Sequence, residues 1–257
     1  MEIVNKDLTK INNWFNANKL TLNTDKTNFI IFKSHRKIKP VNWALSLNSS
    51  SITQVDSTKF LGVFIDEHLT WKTHIDYIAL KIAKNTGILK RIAYLLPKDI
   101  KKSLYFTLIY PYLNYCNFIW ASNYPSRLHK LTILQNKAIK IIEGAEARAS
   151  SYPIFTRLKL LNINQIRNYQ IADLFYCFEN KLLPTSFVNY FSKASDTHKH
   201  DTRGASLYRP IKTRTNLRSF TIKSMGPQIW NSIPTYIQKE KNRRHFKQLM
   251  KEYLLTT

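Results

Sequence analysis

The chain is 257 residues long and carries 40 Lys and Arg against 16 Asp and Glu, for a net charge of +24 and a pI near 10.0. With 44% apolar and 13% aromatic residues it can bury one sizeable core or two modest ones, which excludes a disordered chain. Only 5 glycines argue against a glycine-rich, phosphate-cradling enzyme; two distant cysteines, Cys116 and Cys177, exclude a zinc spacing or a disulfide framework; and no apolar run is long enough to span a membrane.

Residues 4–18 read as an amphipathic helix, because Val4, Leu8, Ile11, Trp14 and Phe15 recur at three- and four-residue steps. Asn28-Phe29-Ile30-Ile31-Phe32, after the polar turn at 24–27, is short, aromatic and β-branched and predicts a strand. Residues 33–40 are a basic loop. Leu45–Leu47 and residues 52–55 predict a hairpin around Asn48-Ser49-Ser50-Ser51. Residues 58–65 read as one strand with Gly62 inside it, and a strand glycine lets another backbone or a ligand come close. From Trp71 the period becomes helical through Ile75, Ile78, Ile82, Leu89 and Ile92 to about Leu95, with Pro97 as the stop. Lys98 and Asp99 open a helix carrying Ile100, Leu104 and Leu108, which Pro111 divides from 112–120. A helix over 127–143 has Leu131, Leu134, Ala138 and Ile141 on one face and Gly144 as its stop. After a linker at 150–153, residues 155–158 and 164–179 are helical and Pro184 begins a short turn or helix. Residues 192–218 lack periodicity, 220–222 predict a short strand, Gly226 to Pro234 reads as a turn-rich knot, and 241–255 as a terminal helix.

The charge is unevenly spread. Residues 1–80 carry 10 basic and 7 acidic side chains, 81–140 carry 11 and 1, 141–189 carry 5 and 4, and 190–257 carry 14 and 4. Two basic segments flanking a nearly neutral one point to a polyanion, with nucleic acid first. Lys81, Lys84, Lys90, Arg91, Lys98, Lys101 and Lys102 lie on predicted helices with apolar opposite faces, and Asp99 is the acid beside them. Such a face can be plain solvation; an all-positive face repels itself unless it meets phosphate. Arg203, Arg209, Lys212, Arg214, Arg218 and Lys223 form a second group, with Tyr208 placed to stack on a base; the other reading is a disordered basic tail. His198, His200 and His245 have no Cys or carboxylate companions at ligand spacing, so no metal site is expected. The expected setting is intracellular, in nucleus or cytoplasm, with RNA or DNA as partner, no membrane and no small-molecule substrate.

The stretch Trp14…Asn18-Lys19-Leu20-Thr21-Leu22-Asn23-Thr24-Asp25-Lys26-Thr27, followed by Phe29-Ile30-Ile31-Phe32, resembles motif D of the reverse transcriptases of non-LTR (LINE-type, jockey-like) retrotransposons. Phe60-Leu61-Gly62 with Asp66 resembles their motif E, a primer-grip hairpin, and His68-Leu69-Thr70-Trp71…His74-Ile75 the start of their thumb. Tyr110-Pro111-Tyr112-Leu113-Asn114-Tyr115-Cys116…Trp120, Leu134-Gln135-Asn136-Lys137-Ala138, His200-Asp201-Thr202-Arg203 and Gly226-Pro227-Gln228-Ile229-Trp230-Asn231-Ser232-Ile233-Pro234 continue the likeness in order along nearly the whole chain.

The resemblance implies an α+β, predominantly α protein: a palm remnant over 1–68, a helical thumb-like domain over 70–148 and a basic C-terminal region over 149–257. It implies template–primer contacts at Phe60, Leu61 and Gly62, with the basic residues named above along the phosphates. It marks Lys26 as the parent enzyme's general acid; the alternative for Lys26 is a solvated turn lysine. In the family two palm aspartates hold Mg²⁺ upstream of motif D, whereas here no Asp-Asp pair occurs and the nine aspartates are scattered. The chain is thus expected to need no cofactor, to retain nucleic-acid-binding parts and to polymerise nothing by itself. The alternative is a domesticated nucleic-acid-binding protein.

Overall fold

A computed structural model describes residues 2–34, 44–47, 50–196 and 204–257. The chain is α+β and predominantly α, and it divides into two compact units, Met1–His74 and Ile75–Thr257. Arg203, His198, His200 and most of the 33–40 loop lie outside the described residues.

In the first unit α1 (Glu2–Ala17) ends where Asn18 Nδ2 donates to the Trp14 carbonyl at 2.8 Å and Lys19 turns left-handed at φ 56°. β1 (Asn28–Phe29) runs parallel to β3 (Ser50–Gln54), and β2 (Leu45–Leu47) pairs antiparallel with β3 in the register Leu45↔Ile52, giving the order β1-β3-β2. Period-two alternation buries Leu45 and Leu47, which with Ile52 form a small core against Leu8, Leu22 and Phe29. That core covers only part of α1: Val4, Ile11 and Trp14 stay exposed. β1 is shorter than the apolar run predicts. Its last sheet bond is Val55 N–H to the Phe29 carbonyl, and Lys33 N–H goes instead to the Glu67 carbonyl.

The predicted continuous strand at 58–65 is two strands. β4 (Ser57–Phe60) and β5 (Val63–Asp66) pair antiparallel with Leu61 and Gly62 as the two-residue connection. Both connecting residues have positive φ, 45° and 85°, the requirement of the type I′ hairpin turn that matches strand twist. Gly62 therefore serves the turn, as the motif E likeness implies and the strand reading does not.

In the second unit α2 (Lys72–Ile92, entering from His74), α3 (Lys98–Leu108), α4 (Tyr110–Asn114), α5 (Asn117–Trp120), α6 (Pro125–Glu143), α7 (Tyr152–Leu158) and α8 (Ile163–Glu179) are followed by α9 (Asn216–Ser219), α10 (Ile222–Ser232), α11 (Thr235–Gln238) and α12 (Arg243–Thr256). α8 is the spine, packed by α4, α5, α6, α10 and α12. An Asn162–Gln165 capping box starts it, and Ile166, Ile171, Ala172, Phe175 and Tyr176 are buried. The break between α4 and α5 turns on Cys116 at φ 50°, and the backbone groups it frees are met by Gln170, which donates to the Asn114 carbonyl at 2.6 Å and accepts from Phe118 N–H at 3.2 Å. Gly144, at φ 74°, closes α6 with Ala145 N–H bonded back to the Lys140 carbonyl.

Two readings near the C-terminus are corrected. Residues 220–222 form no strand: Phe220 and Thr221 link α9 to α10, which begins at Ile222, and Gly226-Pro227 lies inside α10 rather than in a knot. Tertiary packing overrides the turn propensity there: a Cβ on Gly226 would stand 2.4 Å from the Phe175 ring, and Trp230 one turn on stacks against the same ring at 5.6 Å.

Candidate nucleic-acid interface

The first unit offers the β4–β5 tip. Phe60 and Leu61 are 60% and 74% exposed. A leucine held at positive φ is uncommon and costs roughly 1 kcal/mol in a position that asparagine or glycine fills without penalty. Val63 is buried beneath the tip, and the Lys59 ammonium lies 5.7 Å from the Phe64 ring across the hairpin.

What holds the hairpin follows it in sequence. The Asp66 carboxylate accepts the N–H groups of His68 (3.2 Å), Thr70 (2.8 Å) and Trp71 (2.6 Å), collecting a loop in which Leu69 and Trp71 both have positive φ. Glu67 pairs with Lys33 at 2.8 Å and His68 at 3.1 Å; its hydrogen bond raises the Lys33 pKa. In the hairpin register Phe64 N–H points away from β4 and donates to Nδ1 of buried His74 at 3.4 Å. Burial, helped by the Lys59 charge, pushes His74 down to about 4, so the ring is neutral near pH 7 and accepts this bond. Lys26 sits on a 3₁₀ turn, Thr24–Lys26, its N–H held by the Asn23 side chain at 3.1 Å and its side chain exposed.

The second unit carries the basic faces. On α2 Ile75, Ile78, Ile82 and Leu89 are buried, while Lys81, Lys84, Lys90 and Arg91 are exposed; helical spacing puts Lys84 and Arg91 opposite the apolar stripe. Lys81 also reaches over the Tyr77 ring at 5.6 Å. On α3 Lys98 differs from its neighbours, since Glu143 of α6 pairs with it at 2.7 Å and with Arg157 at 3.1 Å. Those two cations hold the Glu143 carboxyl below its ordinary range, Lys98 first. Among the described residues the ion pairs give no carboxylate partner to Lys81, Lys84, Lys90, Arg91, Lys101 or Lys102.

Arg209, Lys212 and Arg214 are exposed on the segment that leads to α9. Its start is anchored: Asn231 accepts from Tyr208 N–H at 3.1 Å and donates to the Tyr208 carbonyl at 2.7 Å, and Tyr208 bridges to Lys193. Tyr208 is not the base-stacking ring that the sequence suggests. It is 5% exposed, edge-on to Phe175 at 5.2 Å and close to Phe178 and Phe191, and burial raises its pKa.

The structure therefore brings Phe60, Leu61 and Gly62 together at one tip, and groups the lysines of α2 and α3 by helix. Sequence reasoning gave no role to Asp66, His74, Gln135 or Asn231, although each falls inside a quoted motif. Among the described residues no group of three His, Cys, Asp or Glu side chains is placed to hold a metal, and no helix is long and apolar enough to cross a membrane.

The chain is 24% identical over 158 residues to the "Probable RNA-directed DNA polymerase from transposon X-element" of Drosophila melanogaster. The match covers 60% of this chain, and the chain spans 17% of that relative. No family model and no solved structure matches it. The chain is a distant relative of a transposon reverse transcriptase.

Proposed function

We propose that the chain corresponds to the palm remnant, thumb and C-terminal region of a non-LTR retrotransposon reverse transcriptase, and that by itself it binds template–primer or other nucleic acid without polymerising. The observation that carries this reading is the exposed set Lys81, Lys84, Lys90 and Arg91 on α2, which meets no carboxylate among the described residues, with half-buried Lys101 and Lys102 of α3 likewise unpaired. Lone cations at this density repel one another and favour a phosphate backbone, which contributes affinity without reading sequence. The exposed Phe60–Leu61 tip supports a primer contact. The uncovered Val4, Ile11 and Trp14 side of α1 supports a palm helix that other parts of a parent enzyme would cover. Two Mg²⁺ ions serve the intact family enzyme, but the described residues do not fit such a site, and no polymerisation step is assigned to them.

The test is anisotropy of a labelled primer–template duplex across a salt series. Affinity should fall steeply and log-linearly with salt, and replacing Lys84 and Arg91 by alanine should lower the slope by about 2. Absence of binding at about 50 mM salt overturns the binding reading, since that salt range leaves phosphate contacts strong. Primer extension with Mg²⁺ should yield no product; extension overturns the other half.

A further inference from the structure

A cavity of about 170 Å³ opens within the second unit between α3, α4, the α7–α8 connection and α12. The residues that line it include Tyr105, Tyr110 and Tyr169, Leu161, and the two lysines Lys159 and Lys251. Lys159 caps α7 at φ 53°, a place where glycine is the usual residue, and its side chain lines the cavity. Lys251 is partly buried on α12 with no carboxylate paired to it, and the charges of Lys102 and Lys159 add to burial in lowering its pKa. The tyrosines are shifted the other way: burial raises Tyr110 and pushes Tyr169 up to about 12, so both stay protonated and can donate. Two lysines of the lining, with the Lys102 charge acting on one of them, favour an anion, and the tyrosines beside them offer hydrogen-bond donors and ring faces for a planar aromatic group. The volume is below the roughly 300 Å³ at which sites for drug-sized ligands begin, which limits the occupant to one small planar unit.

We propose that this cavity is a nucleotide site: it takes one base against Tyr110 and Tyr169, with the attached phosphate between Lys159 and Lys251. The source, a free nucleotide or an unpaired nucleotide of a strand, rests on the nucleic-acid reading above; the site itself does not. The test uses the wild-type protein first. Amine acylation read by mass spectrometry should label Lys251 and Lys159, and AMP should protect both while Lys84 stays labelled. Protection by AMP and by a short single strand supports a strand-derived nucleotide, and protection by AMP alone supports a free one. Equal protection by inorganic phosphate, or none by either nucleotide probe, overturns the site. Lys251→Met should then weaken AMP binding about tenfold, the scale of losing one charge-assisted hydrogen bond to the phosphate, with duplex binding retained. Unchanged AMP affinity in that variant defeats the proposal, whereas duplex binding reports separately on the α2 and α3 faces.

Discussion

Gln135 is fully buried on α6, and its amide is the joint between three elements. Nε2 donates to the Leu161 carbonyl at 3.0 Å and to the Tyr105 hydroxyl at 2.9 Å, and Oε1 accepts from Ile163 N–H at 3.0 Å. One backbone carbonyl and one backbone N–H fix the sense of the amide, leaving no equivalent flipped state. Gln135→Leu keeps the volume approximately and strands all three partners where no solvent reaches. A buried unpaired donor or acceptor costs about 1–3 kcal/mol, so the loss is roughly 3–5 kcal/mol after some relaxation and the gain from added apolar surface. That is a large fraction of a typical total of about 5–15 kcal/mol. Urea unfolding followed through buried Trp120 and Trp230 should show the midpoint falling by roughly 1.5–2.5 M for a slope near 2 kcal/mol/M. Tyr105→Phe alone should cost about 1 kcal/mol, and in the Gln135→Leu background it should cost nothing or help, because it removes an already stranded hydroxyl. A Gln135→Leu loss below about 1 kcal/mol, or a Tyr105→Phe effect equal in both backgrounds, would refute the assignment of this amide as a satisfied bridge.

Two further outcomes concern the hairpin. His74 has its folded pKa depressed from 6.5 to about 4, so its contribution is complete above pH 6.5 and is lost as pH falls toward 4, because the unfolded chain takes up the proton first. The amount is on the order of 2–3 kcal/mol, and His74→Gln should flatten the stability curve between pH 6.5 and 5, above the range where carboxylates titrate; parallel curves for the two proteins would sink the idea. Leu61→Asn should stabilise the hairpin by about 0.5–1 kcal/mol through its positive φ and weaken primer–template binding at the tip. A destabilised variant, seen as a lower unfolding midpoint, would count against strain at Leu61.

Helix periodicity carried most of the fold. The α2 face, the helical span of α8, the Gly144 stop and the β2–β3 pairing follow from spacing and local capping, whereas the buried face of α6 is rotated from the predicted one, with Gln135, Ile139 and Ile142 inside and Leu134 and Ile141 only half-buried. Local signals failed where a distant contact decides. Gly226-Pro227 has turn propensity, yet Phe175, 51 positions earlier, requires the missing Cβ at that point of α10. Tyr208 stands among cations in sequence and among phenylalanines in space, because Asn231 pins its backbone. Lys98 looks equal to Lys101 and Lys102 until Glu143 arrives from α6. The cavity was illegible for the same reason: Tyr105, Lys159 and Lys251 meet through tertiary packing alone.

The α2 and α3 cations that meet no carboxylate among the described residues, Arg91 and the lysines other than Lys98, give dissolved salt two opposite effects. In the free chain they press against one another, so added ions relieve a repulsion that favours unfolding. In a nucleic-acid complex the same ions compete for the phosphates. A polyanion bound to the folded state alone therefore acts as a folding ligand, greatest in the dilute salt where the free chain is weakest. Conditions that keep the free chain most stable are then those in which the proposed polyanion would be held least.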